Sequence, residues 1–551
     1  MRSLLGLSLF IAICCSFLSC GKTPISSVQI KKGYNSFLLA GERRNSEENV
    51  TVHVDIHQGF LEERMRFNRL NAPSTILHMF NYKFSDIEGH LKEISDLGFN
   101  AILISPPQVS LANYPAFETQ WWAHYQPICY QIGGPLGTEE DLKRLIEKAN
   151  ELSIKIIADV VLNHMANPDL LNLKDGELYF PPEDLKAQCG NMPLFDKYDF
   201  HEKKLIEDYN DPQQVRDGWI PSSVGTINYS NSGLADLDQN SKKVFDAQSD
   251  YLKKLVKLGV KGFRFDAVKH MPSKYFNYLL HDEMFQDIYV FGEVLAHNME
   301  EAYVYGEYLQ NSPLDFMDLT HLAIVQRAFL TGQRLSHLSH RNDSHLLSFT
   351  ENLVSNIIPT SPGQSRFVIA KITHDIPNNA IFHGALMGDS KDEALADAYQ
   401  LGRSQGKVLI TSEDKTVLAT RAQDPVLSWL GRFGKRWQLF GDDSDTVAEQ
   451  KEKAENRQLL KAKIAFRNKV NGLSQNEITS NIHNHFVELC LNAFTRDFFN
   501  GNNAISSGAK GLVVINKCGQ DVEFSSVIHS KSLYFSVPAT RFFPGIYRDE
   551  I

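Results

Sequence analysis

The sequence predicts an α/β protein. Its body is a (β/α)8 TIM barrel with a loop-rich subdomain inserted after the third strand. A C-terminal antiparallel β-sandwich domain follows. Three observations carry this reading. Short apolar strands alternate with amphipathic helices between residues 75 and 411, which implies parallel strands and right-handed crossovers. About eight strand candidates fall in that interval, the number that closes such a barrel. Asp159 and Asp266, on successive strands, stand much further apart in the chain than the roughly 31 residues per unit of a ~250-residue barrel. The excess is an insert.

Each element has a local reason. Thr75–Phe80 is the first strand. Ser85–Gly98 reads as a helix: Ser85 and Glu88 have capping-box spacing, Ile87, Leu91, Ile94 and Leu97 share a face, and Gly98 stops it. Ala101–Ser105 is the second strand. Thr138 caps a helix with the stripe Leu142, Leu145, Ile146, Ala149 and Leu152, and Ile154–Leu162 is the third strand. Leu252, Leu255 and Val256 lead to Gly259 at another helix end, before the strand Val260–Phe265. Val290–Glu293, a weak Pro313–Leu319, Phe367–Ile372 and Lys407–Thr411 complete the series. The implied division is a signal peptide at 1–20, a linker or N-terminal extension at 21–70, barrel at 71–164 and 236–455, insert at 165–235, and the β domain at 456–551. A doubly wound open sheet is the competing architecture, but no Gly-rich phosphate loop follows the first strand.

The chain has 551 residues and a net charge of −10, with 42% hydrophobic and 22% charged residues. Those values support real cores and argue against disorder, collagen and coiled coil. No dense basic patch points to nucleic acid. Arg2 precedes an apolar run up to Cys20, the pattern of a secretory signal peptide. Phe17-Leu18-Ser19-Cys20-Gly21 resembles a bacterial lipobox, with Phe17 in place of the usual Leu. The expectation is an exported lipoprotein, held to a membrane only through a lipid on Cys20, or otherwise secreted. Of the seven cysteines, Cys129, Cys189, Cys490 and Cys518 lie beyond that segment without metal-site spacing. Disulfides Cys129–Cys189 and Cys490–Cys518 and buried free thiols are both open readings.

The informative residues stand at the strand ends, where barrels of this kind place their chemistry. The third strand ends in Asp159 through Asn163-His164, the fourth in Arg264-Phe265-Asp266 with Lys269-His270, the fifth in Glu293, and the seventh in Thr373-His374-Asp375. A lone strand-end carboxylate is usually an ion pair or a helix cap. Four apolar strands ending this way are better explained by one shared polar cleft, because burying each group singly costs several kcal/mol.

These four segments, in this order, resemble the sequence regions of the α-amylase family, glycoside hydrolase family 13. Trp121-Trp122-Ala123-His124-Tyr125-Gln126-Pro127 resembles the WWxxYQP segment of animal-type members. Tyr209-Asn210-Asp211 and Gln213–Asp217 resemble the end of their inserted domain, and Ile464–Val470 the start of their C-terminal domain. The resemblance covers about 75–550. It implies a retaining enzyme that hydrolyses internal α-1,4 bonds of starch, glycogen or maltodextrins, with Asp266 as nucleophile, Glu293 as general acid/base and Asp375 as the third carboxylate. His164 and His374 would bond the sugar at the cut, Tyr125 would stack under it, and Trp122 under a more distant glucose. Gln126, Arg264, Lys269 and His270 complete the expected substrate site. Arg264, two residues before Asp266 on one strand face, would favour the ionised carboxylate.

The same resemblance implies calcium, held by Asn163 and Asp236 side chains and by the carbonyls of Arg216 and His270; hard oxygens suit that ion. An activating chloride is in doubt, because Thr373 replaces the Asn some relatives use. The expected partner is an α-glucan, and the expected state a monomer. The rival readings are a same-fold transglycosylase, a maltooligosaccharide-specific hydrolase, and a non-catalytic glycan-binding surface lipoprotein. The last predicts damaged carboxylates, and all three are intact.

Overall fold

The computed structural model describes residues 34–35, 56–57, 59–173, 178–222, 232–295, 303–329, 335–338, 366–375, 390–404, 406–414, 438–441, 445–471, 473–477, 490–497, 511–517, 522–528 and 531–537. The expected signal segment with Cys20, and Cys518, lie outside them. Eight parallel strands close a barrel: β1 (Thr75–Phe80), β2 (Ala101–Ile104), β3 (Lys155–Val160), β4 (Gly262–Phe265), β5 (Tyr289–Gly292), β6 (Asp315–Met317), β7 (Phe367–Ile369) and β8 (Lys407–Glu413), each hydrogen-bonded to the next, with β8 returning to β1. The weak sixth candidate is a barrel strand.

Strand alternation sorts the interior. Ile76, Leu103, Ile157, Phe291, Met317, Val368 and Leu409 form one buried apolar cluster with a member from every strand but β4. Two residues further along the same faces come His78, Asp159 and Glu293, because side chains repeat with period 2. The barrel thus changes from an apolar plug to a polar rim within one step.

The helices follow the predicted stripes. The helix α1 (Phe60–Asn71) precedes the barrel, and α2 (Phe84–Leu97) buries Ile87, Leu91, Ile94 and Leu97. Its start differs from the sequence reading: Lys83 is the cap position and no side chain caps it. Glu88 instead pairs with Arg144 at 2.8 Å and with Lys148 on α3 (Glu139–Glu151), so a cross-helix ion pair takes the expected capping residue. The Phe84 N–H is met by the Leu136 carbonyl at 2.8 Å. Thr138 caps α3, as the sequence suggested, and Asp141 completes a capping box. Ser241 caps α4 (Lys242–Leu258), which ends at Gly259 in the left-handed region (φ 106°).

The insert is closed at its neck by a two-residue ladder, His164↔Asp236 and Met165↔Ala235. A Cys129–Cys189 disulfide ties it to the strand Pro127–Ile132. Cys490 is also disulfide-bonded. Two segments depart from the expected division. Residues 60–70, within the segment read as a linker or N-terminal extension, belong to the helix α1, which is docked on the barrel. The helix α5 (Val447–Lys469) runs through the expected boundary at 455–456 and touches α2. Beyond it, Ser474–Glu477, Leu491–Asp497 and Gly511–Asn516 form an antiparallel sheet, and Val522–Ile528 pairs with Lys531–Val537. Among the described residues, no helix is long and apolar enough to cross a membrane.

Candidate active site

Asp159 and Arg264 are direct ladder partners across β3 and β4. The Arg264 guanidinium is fully buried and serves three carboxylates. Its Nη1 lies 2.9 Å from both Asp159 oxygens and 2.7 Å from Asp266 Oδ1, and its Nη2 lies 2.9 Å from Glu293 Oε2. Residues from three neighbouring strands therefore meet on one planar cation, the geometry for which arginine is suited.

The backbone holds this meeting point closely. Asp266 N–H bonds the Val160 carbonyl, and Glu293 N–H the Phe265 carbonyl, each at 2.9 Å. Ala267 takes a left-handed conformation (φ 50°), a strained one for a residue with a Cβ. Its N–H then reaches Glu293 Oε2 at 3.3 Å. Gly292 is required by packing: a Cβ there would lie 2.7 Å from Val268 Cγ2.

Asp375 joins from the far side. Its Oδ1 lies 3.3 Å from His374 Nε2. The His374 ring stacks on Tyr125 (5.3 Å between centroids, 9° between planes) and on Phe80 (4.5 Å, 29°), and meets His78 edge-on at 5.3 Å. The Tyr125 hydroxyl donates to Asp159 Oδ2 at 2.9 Å. Asp375 also raises Asp266 electrostatically. The three expected carboxylates thus face one site.

One electrostatic expectation is corrected. Arg264 does touch Asp266 and favours its ionised form. Burial, with Glu293, Asp159 and Asp375 nearby, outweighs this and holds Asp266 well above the usual carboxylate range. Burial raises Asp159 likewise. One positive charge cannot neutralise several carboxylates, which favours protonation of Asp266 and Asp159. Burial pushes His164 and His270 down to about 4 and His78 to about 3, so these rings are neutral near pH 7.

The other expected residues are distributed unevenly. His164 Nε2 donates to the Tyr125 carbonyl at 3.0 Å, fixing both against each other. The Trp122 ring packs edge-on against Phe117 (5.8 Å), whereas Trp121 lies beside His374 (6.1 Å). The Gln126 side-chain oxygen accepts the Asn167 N–H at 3.0 Å and so braces a loop. Lys269 sits over the Tyr209 ring (5.5 Å), and His270 Nδ1 donates to the Val215 carbonyl at 2.8 Å. That bond brings the Arg216 segment against His270.

Asn163 and Asp236 are both fully buried, and Asn163 Nδ2 donates to Asp236 Oδ1 at 2.8 Å. His201, absent from the sequence reading, lies 2.7 Å from Asp236 Oδ2. Burial pushes Asp236 up to about 7. Among the described residues, Asn163 Oδ1 has no hydrogen-bond partner. Also missed were Phe80, Trp121 and the bracing role of Asp159. The signal for His78 was present: it is the polar residue inside the otherwise apolar run TILHMF.

Comparison with known proteins agrees with this geometry. Residues 83–312 match the family described as alpha amylase, catalytic domain. An alpha-amylase from Aeromonas hydrophila is 32% identical over 469 residues, covering 82% of this chain and 85% of the relative. An alpha-amylase from Phaedon cochleariae is 32% identical over 199 residues, 36% of this chain and 37% of the relative. Among solved structures, alpha-amylase I from Eisenia fetida superposes with a TM-score of 0.56 at 21% identity, covering 82% of this chain and 86% of that one. A cyclomaltodextrin glucanotransferase, CldA, superposes with a TM-score of 0.58 at 18% identity, covering 81% and 82%. The structural likenesses speak for the fold, and the match to the Aeromonas enzyme, spanning most of both chains, shows that this chain belongs to the alpha-amylase family.

Proposed function

We propose that the protein is a retaining, endo-acting hydrolase of internal α-1,4 bonds in starch, glycogen or maltodextrins. The observation that supports this most directly is the single guanidinium shared by Asp266 and Glu293. Retaining glycosidases need one carboxylate to attack and a second to protonate. In the reading proposed, ionised Asp266 attacks the anomeric carbon while Glu293 gives its proton to the departing glycosidic oxygen. The covalent glycosyl ester at Asp266 is then opened by water, whose proton returns to Glu293. Asp375 and His374 hold sugar hydroxyls, and Tyr125 lies under the ring. Arg264 keeps Asp266 and Glu293 in one place through both half-reactions.

The test is product analysis on soluble starch, with the anomeric configuration followed by NMR. Mixed oligosaccharides released first as α-anomers support the reading. Exo-release of one product, β-anomers, or accumulation of longer glucans refutes it.

Calcium is part of the proposal. The orphan Asn163 Oδ1 and the buried Asp236 carboxylate fit a hard cation, together with the Arg216 and His270 carbonyls. Among the described residues there is no group of three or more His, Cys, Asp or Glu ligands, so the set is one carboxylate with amide and carbonyl oxygens. The ion would supply positive charge that ties the insert to the barrel. Addition of calcium to chelated protein should raise the melting temperature, and Asp236→Asn should abolish that gain. We also propose export with a lipid on Cys20. A Cys20→Ala variant that remains in the membrane fraction would refute this.

A further inference from the structure

The structure assigns a positioning role to Asn68, a residue of α1 that lies before the family-matched segment 83–312. The assignment rests on the proposed proton-donor role of Glu293. The pairing of β5 with β6 begins only at Phe291↔Asp315. On the β6 side the chain below that point includes Pro313, which has no N–H to offer. The Asn68 side chain bridges this seam. Its Nδ2 donates to the Val290 carbonyl at 2.9 Å and to the Pro313 carbonyl at 3.3 Å. Its Oδ1 accepts the Val290 N–H at 2.6 Å. One buried amide thus does what a neighbouring peptide group does elsewhere in the barrel.

Asn68 does not act alone. Arg64 Nη2 donates to the Ile288 carbonyl and Asn71 Nδ2 to the Gln286 carbonyl, each at 3.1 Å. Residues 64, 68 and 71 share one helix face at i, i+4 and i+7. They meet residues 288, 290 and 286, alternate positions of the segment that enters β5. The helix therefore braces the segment that enters the strand at three carbonyls. That strand ends in Gly292 and delivers Glu293 three residues after Val290. Asn68 touches no reacting atom. It sets the height and tilt of β5 and so the place from which Glu293 gives its proton.

A merely structural role would lower stability and affect all substrates alike. In the glycosylation half-reaction, which kcat/KM reports, a misplaced proton donor affects only substrates whose leaving group needs a proton; opening of the glycosyl ester uses Glu293 as base whatever the leaving group. Asn68→Ala should therefore lower kcat/KM on maltooligosaccharides about 10–100-fold, the scale of a small misplacement at the chemistry. For maltotriosyl fluoride, whose leaving group needs little proton assistance, kcat/KM should fall no more than about twofold. Amide exchange in a peptide spanning residues 289–295 should accelerate about tenfold or more on loss of the Val290 partner. Equal loss of kcat/KM on both substrates, an unchanged kcat/KM on maltooligosaccharides, or unchanged exchange would each overturn the proposal. Should Asn68→Ala not fold, Asn68→Ser carries the same comparison. If the wild type cleaves neither substrate, the activity reading fails, and the exchange measurement alone decides whether Asn68 holds the strand.

Discussion

Replacing Asp159 by Asn isolates one charge in the buried cluster at nearly constant shape. Asp159 and Asp266 each contact Arg264 Nη1, at 2.9 and 2.7 Å, so the contacting oxygens are no more than about 5.6 Å apart. At an effective dielectric of ~20, two unit charges at that separation repel by about 3 kcal/mol, or about 2 pH units. Relaxation reduces this, while Arg264, freed from one partner, acts more fully on Asp266 and pushes the same way. Asp266 must ionise to attack, and its carboxyl sits above the usual range. The acid limb of kcat/KM against pH reports that ionisation in the free enzyme. Asp159→Asn should therefore move the acid limb down by about 1–2 pH units. A limb that stays in place, or moves up, in a variant with the wild-type circular dichroism spectrum would refute the electrostatic account.

Four further outcomes follow from the same coordinates. Glu293→Gln should reduce turnover of starch by about 10²–10⁴-fold with the fold intact, because a proton donor contributes on that scale; full activity would remove it from the chemistry. Asp266→Asn should be inactive yet melt higher than the wild type at pH 7. A carboxyl whose folded pKa is raised stabilises below its unfolded pKa of ~4 and loses that contribution as pH rises through the folded value, so the advantage should vanish near pH 4. Cys129→Ser opens a bridge between cysteines 60 positions apart and should cost about 4 kcal/mol in the chain-entropy account, read by denaturant unfolding. Removal of residues 1–58 should leave folding intact. Removal of 1–72 strips Arg64, Asn68 and Asn71 from the barrel base and should leave it unstable, a contrast visible in thermal melts.

Much of the fold was legible because its signals are local. The stripe Ile87, Leu91, Ile94 and Leu97 and the run TILHMF each specify their own period. Thr138 could be read as a cap because the stripe Leu142, Leu145, Ile146 and Ala149 begins just beyond it. Ser85 misled because nothing local reveals that Glu88 faces Arg144 and Lys148 on another helix. The helix 60–71 escaped notice for a related reason. Its buried face carries Arg64 and Asn68, which read as solvent residues until the strand carbonyls they serve are in view. The electrostatic sign at Asp266 failed similarly: Arg264 is visible two residues away, whereas Asp159, Glu293 and Asp375 come from other strands.

What the chain alone determined is which groups stand at the strand ends: Asp159, Arg264, Asp266, Glu293, His374 and Asp375 are set by period-2 alternation and by motif. Tertiary structure decided what those groups do to one another. Barrel closure brings three carboxylates to one guanidinium, seats His374 between Tyr125 and Phe80, and lets a helix from outside the barrel mend the seam beneath Glu293. The physical reason is range. Side-chain direction along a strand is fixed within a few residues, whereas desolvation and Coulomb terms depend on neighbours that only folding supplies.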